Sequence, residues 1–175
     1  MEWNAFYAAM AGSSATVIGL IFVAVQLKSD KFSQTSAWKA VASSTFYIYF
    51  MVFFLSLTFL IPALGPNVKS IIILFHVGLG AYRVVRIWFP VWHGIFKGSG
   101  EGFIEALWFL AGPFLLYSLL AYHAAEICLG KHEKSFDTSI AIILLILLGL
   151  ALRNSWNLLV DGAFQRTSVS HISSQ

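Results

Sequence analysis

The sequence predicts an all-α protein, a polytopic bundle of bilayer-spanning helices with no soluble domain, on three observations. Of its 175 residues, 58% are hydrophobic and only 11% charged, against roughly a quarter charged in ordinary soluble domains. Mean hydropathy is +0.78, which leaves more apolar surface than a soluble fold of this size hides. Several apolar stretches reach the about 20 residues that an α-helix needs to cross about 30 Å of hydrocarbon. The chain therefore reads as a single transmembrane domain over residues 1–175 with five spans, or four if the arginine-bearing third stretch does not cross.

The first span covers residues 5–27 and is interrupted only by small or weakly polar residues: Gly12, Ser13, Ser14, Thr16 and Gly19. No basic segment precedes it and it is long enough to span, so it is expected to remain in the mature chain rather than be cleaved as a signal. The second covers residues 41–64, is dense in aromatics from Phe46 to Phe59, and is closed by Pro62 and the turn Gly65-Pro66-Asn67. The third, residues 69–89, contains His76, Arg83 and Arg86, and a loop is expected to follow from Pro90 through Lys97-Gly98-Ser99-Gly100-Glu101-Gly102. The fourth, residues 103–129, has Glu105 near one end, Pro113 in the middle, and His123 with Glu126 near the other. The fifth, residues 138–160, opens on a nearly pure apolar run from Ile140 to Leu152, then turns polar at Arg153-Asn154-Ser155-Trp156-Asn157. The longest connection, residues 28–40, is too short for a domain and is expected to lie along the interface with Trp38 as an anchor. The Ser-rich tail, residues 167–175, is expected to be mobile unless docked.

The 11 Lys and Arg residues sit in short loops and at helix ends, so they read as topology signals rather than as a nucleic-acid face. With the N-terminus outside, the inner side holds Lys28, Lys31, Lys39, Arg83, Arg86, Lys97, Arg153 and Arg166, and the outer side Lys69, Lys131 and Lys134. That excess predicts a cytoplasmic C-terminus. The single cysteine, Cys128, excludes an intrachain disulfide and a Cys-only metal site.

Four groups of residues stand out. Ala8, Gly12, Ala15 and Gly19 recur at spacings of four, three and four, a flat stripe where another backbone can approach closely, either within the chain or between subunits. On the third span His76, Gly80 and Arg83 share a stripe, with Arg86 one turn beyond Arg83. Arg83 falls about 6 Å to the cytoplasmic side of the midplane at 1.5 Å per residue, so it needs a partner. On the fourth, Glu105 and Glu126 share a face with His123; on the fifth, Arg153, Asn157 and Asp161 follow at i, i+4 and i+8. A functional reading makes Arg83, Arg86 and Arg153 the lining of a water-filled, anion-attracting vestibule. A structural reading has Arg86 and Arg153 snorkel to cytoplasmic headgroups, paired by Glu105 and Asp161. His76 and His123 differ in depth by about 8 Å and lack paired ligand spacing, so they read as hydrogen-bonded packing residues, with no metal or haem. No protease, lipase or phosphate-loop signature occurs, so neither an enzyme nor a cofactor is expected.

The stretches Ala11-Gly12-Ser13-Ser14-Ala15 through Gly19-Leu20-Ile21-Phe22-Val23-Ala24-Val25, and Arg153-Asn154-Ser155-Trp156-Asn157-Leu158-Leu159, resemble a pattern in small, uncharacterised bacterial inner-membrane proteins. The first looks like their Ala/Gly-rich opening helix. The second is similar to a closing Asn-Ala-Trp-Asp-Leu-Leu motif, with Ser155 and Asn157 here in place of Ala and Asp. The resemblance covers about a sixth of the chain; it implies a bacterial membrane location and no activity. Because one protomer has too few helices to enclose a wide path, the expected function is a homo-oligomeric ion channel or small-solute pore. The alternative is a non-conducting membrane protein that binds and regulates, or anchors, another. Expected partners are the lipid bilayer, further copies of the chain and a small ion, with no nucleic acid.

Overall fold

The structure, a computed structural model, describes residues 3–27, 36–95, 101–131 and 136–156. These form five helices in chain order: α1 (Asn4–Leu27), α2 (Ser36–Leu60), α3 (Pro66–Ile95), α4 (Glu101–Cys128) and α5 (Phe136–Trp156). No strand occurs among the described residues. Four helical stretches are long and apolar enough to cross a membrane: Asn4–Ala24, Ala42–Leu60, Pro66–Arg86 and Phe136–Trp156. The remaining helix, α4, has 28 residues, about 42 Å at 1.5 Å per residue. The chain is a multi-pass helical membrane protein.

The helix ends follow from proline and glycine chemistry. α2 stops at Leu60 rather than at 64, because Pro62 has no N–H to donate and pushes the residue before it out of the helical region. A turn follows, in which Leu64 N–H donates to the Ile61 carbonyl at 3.4 Å. α3 begins at Pro66, where the missing N–H is one that no helix would use. It then runs through Pro90 to Ile95 where a loop was expected. One proline removes a single i to i−4 bond, a defect that spanning helices tolerate when neighbouring groups satisfy the freed carbonyl. α2 likewise starts at Ser36, inside the connection expected to lie along the interface; Trp38's side chain, residues 28–35, the Lys97–Gly100 part of the expected loop, residues 157–160 of the fifth span and the tail lie outside the described set. α4 keeps Pro113 inside it and closes with Gly130 at φ 79°. There Gly130 N–H donates to the Ile127 carbonyl at 2.9 Å and Lys131 N–H to that of Glu126 at 3.0 Å, the paired bonds of a left-handed glycine cap.

α1 packs along α2 and α3 along α4, while α2 also meets α3 and α5, and α5 meets α4 and α1. The five helices thus close a circuit, with α2 and α5 touching across it. Where they touch, Tyr49, Met51, Val52 and Leu55 of α2 and Leu144 and Leu147 of α5 are all fully buried, so the middle of the protomer is filled.

Contacts between helix ends show the alternation of direction. At one end the Tyr7 hydroxyl of α1 donates to the Asp137 carbonyl of α5 at 2.9 Å. Tyr7 also stacks on Phe59 of α2 with centroids 4.7 Å apart, and the Lys69 ammonium of α3 lies 4.9 Å over the same Phe59 ring. Toward the other end, Ser155 in the last turn of α5 shares a hydrogen bond with Tyr49 in the middle of α2 at 3.1 Å.

Candidate functional site

Two surfaces of the bundle gather the residues that the sequence singles out. The first is the outward side of α1. Its inward side buries Tyr7, Met10, Ala11 and Ser14, with Val17, Ile18 and Ile21 packed beside them. Ala8, Gly12, Ala15 and Gly19 lie on the other side, all exposed, and a Cβ built at Gly12 or Gly19 would meet nothing within 4 Å. Among the described residues the stripe is therefore not used for packing within the protomer, the first of the two uses its spacing allows. Ser13 and Thr16 are exposed on its flank, the Thr16 hydroxyl donating to the Gly12 carbonyl at 2.9 Å. Other helices present large apolar side chains outward: Ile71, Phe75 and Leu79 on α3, Phe114, Leu115 and Leu119 on α4, Ile142, Leu145 and Ile146 on α5. Over residues 5–19, α1 presents only small or weakly polar ones.

The second surface is the seam of α2 and α3. The Arg83 guanidinium donates to the Ser43 hydroxyl at 3.2 Å and lies 4.8 Å over the Tyr47 ring; the Tyr47 hydroxyl in turn donates to the His76 carbonyl at 2.7 Å. This arrangement depends on Gly80, one turn before Arg83. A Cβ there would lie 2.8 Å from Tyr117 Cε2 of α4, closer than real side chains come, and a tight 3.1 Å from Tyr47 Cε1 of α2. The predicted stripe of His76, Gly80 and Arg83 thus faces its neighbours together, and the partner Arg83 requires is supplied by Ser43 and Tyr47. Arg83 and Arg86 are both exposed, and among the described residues neither is paired with a carboxylate. Glu105, the acid expected beside Arg86, stands on α4 with its side chain outside the described set.

The remaining candidates fall apart from this seam. His76 Nδ1 sits 2.9 Å from the Ile72 carbonyl, and since a carbonyl only accepts, that nitrogen carries the proton. Its ring packs against Phe54 and Phe75. His123 packs edge-on to Tyr122 with centroids 5.5 Å apart. Glu126 accepts from the Tyr122 hydroxyl at 3.0 Å and lies 3.7 Å from the Lys131 ammonium, all at the end of the bundle away from Arg83. Among the described residues no three side chains are grouped to hold a metal. Arg153 is exposed on α5 near the arginine end; Asn157 and Asp161 lie outside the described residues.

The interior of the bundle also holds a set of hydroxyls that the sequence does not mark. Ser14, Thr45, Ser56 and Ser70 are buried with no hydrogen-bond partner for their oxygens among the described residues, and Ser155 bridges Tyr49 and the Ala151 carbonyl. In an apolar span a serine's position carries no mark of the face it occupies, so only the packing reveals them. The chain matches no protein-family model, no curated protein and no solved structure.

Proposed function

We propose that the protein works as a homo-oligomer whose α1 helices meet along the small-residue stripe, leaving a narrow path for a small ion or solute between protomers. The observation that carries this reading is the open outward side of α1, where Ala8, Gly12, Ala15 and Gly19 are exposed and no described residue approaches the two glycines. In lipid, helices gain no hydrophobic energy by meeting, so association relies on close backbone approach, dispersion contacts and hydrogen bonds, which small residues permit. The filled contact of α2 with α5 supports a path between copies rather than through one. At about 100° per residue, Ala9, Ser13 and Thr16 fall on the flank beside the stripe, where a neighbour seated on the stripe leaves them facing the gap.

Oligomeric mass in mild detergent, followed by ion flux in liposomes, tests both halves. A defined multimer with flux agrees with the proposal. A monomer overturns it, and a multimer without flux favours the rival reading, a non-conducting protein that binds or anchors another membrane protein through the same side of α1. The excess of basic residues at the Arg83 end supports an N-terminus outside; a cysteine placed at Lys131 should then be labelled by an impermeant reagent only from outside, and labelling from the cytoplasm would reverse the orientation. Placement in a bacterial inner membrane rests on the likeness of the opening and closing stretches.

A further inference from the structure

We infer that the seam of α2 and α3 at the arginine end holds the phosphate of an anionic phospholipid headgroup, with Arg83 and Arg86 as its ligands and Ser43 beside them. Depth comes first. With the turn from Pro62 to Pro66 at the opposite boundary, the Arg83 Cα lies about 25 Å along α3 and the Arg86 Cα about 30 Å. The first lies about 5 Å inside the far edge of a hydrocarbon core about 30 Å thick and the second at that edge, so with α3 starting at Pro66 rather than at 69 Arg83 stands nearer the boundary than the sequence predicts. An arginine stem carries its guanidinium several ångströms further toward the headgroups, and the exposed ring of Tyr82 at the same level suits that boundary.

Geometry comes second. Arg83 is exposed but not loose: the Tyr47 ring beneath it and the Ser43 hydroxyl fix its plane. Only one of its five N–H donors is used among the described residues, so the outward edge keeps the fork that matches two phosphate oxygens. Ser43 Oγ accepts from Arg83, and its own O–H is a further donor beside the guanidinium. Ordering the guanidinium in advance removes part of the entropy that binding would otherwise consume.

Charge comes third. Arg86 stands one turn beyond, exposed, and no described carboxylate neutralises either arginine. Two such cations within about 5 Å of helix axis favour a headgroup with net negative charge over a zwitterionic one, whose own ammonium is repelled. Simple snorkelling toward any headgroup would show no such preference.

The test is native mass spectrometry of the full chain from mild detergent, with phosphatidylglycerol or phosphatidylcholine added at equal concentration. Preferential retention of phosphatidylglycerol is expected, reduced about fivefold in Arg86→Gln and by at least as much in Arg83→Gln. Arg86 makes no described contact, so Arg86→Gln leaves folding untouched and the test valid even if Arg83→Gln unfolds. Equal retention of the two lipids, or unchanged retention in Arg86→Gln, overturns the assignment. Displacement of phosphatidylglycerol by inorganic phosphate at matched concentration would also overturn it, assigning the seam to a soluble anion.

Discussion

At Gly80 of α3 a Cβ would stand 2.8 Å from a ring carbon of Tyr117 and 3.1 Å from one of Tyr47, whereas at Gly12 and Gly19 of α1 it would meet nothing within 4 Å. The same residue type, on two spans of similar hydropathy, closes a contact in one place and leaves a surface open in the other. The difference teaches where small residues have been used up. In α3 the missing side chain lets two tyrosine rings reach the backbone, which seats the Tyr47 hydroxyl on the His76 carbonyl and brings the ring under Arg83. In α1 the missing side chains meet no described part of the protomer, which directs the search for their role to what packs on α1 from outside.

The contrast is most easily broken at Gly80. Gly80→Ala forces either the buried Tyr117 ring or the α3 backbone to move, and overpacking of this kind costs about 1–3 kcal/mol. Gly112 is the graded comparison, because its Cβ would meet Leu150 Cδ2 at 3.0 Å, the far end of a flexible side chain that can rotate away. Thermal unfolding in detergent should show a clear fall in midpoint for Gly80→Ala and a smaller one for Gly112→Ala. Equal shifts would mean that the tyrosine rings do not pin α3.

How much of this was legible beforehand divides along a physical line. The number and order of helices were readable, because each span must satisfy its own backbone in lipid and needs about 20 apolar residues to do so. The spacing of Ala8, Gly12, Ala15 and Gly19 was readable too, but not its direction. A helix that meets lipid on one side and protein on the other is apolar all round, so its periodicity does not say which side is inside. The need of Arg83 for a partner followed from depth alone. Its identity did not, since Ser43 and Tyr47 lie about forty positions away and a sequence does not give the register of one span against another. Pro90 misled for a different reason: proline ends helices in water more reliably than it ends them in lipid.

The smallest expected change in the protomer is at Gly12 and Gly19, and it is the most informative. Gly12→Leu and Gly19→Leu place a side chain into open space on the protomer, and both exchange a poor helix former for a good one, so the unfolding midpoint of the isolated protomer should move little or rise slightly. If a second copy packs on the stripe, the same leucines hold the two backbones apart and forfeit the dispersion contacts that associate them. The mass in mild detergent should then fall toward that of a 19.4 kDa chain while the fold persists. The two measurements have to be made on the same sample, because loss of mass with loss of fold would only show damage. A variant that stays folded and keeps the wild-type mass would remove α1 from the interface, and would leave its open glycines as a surface turned to lipid.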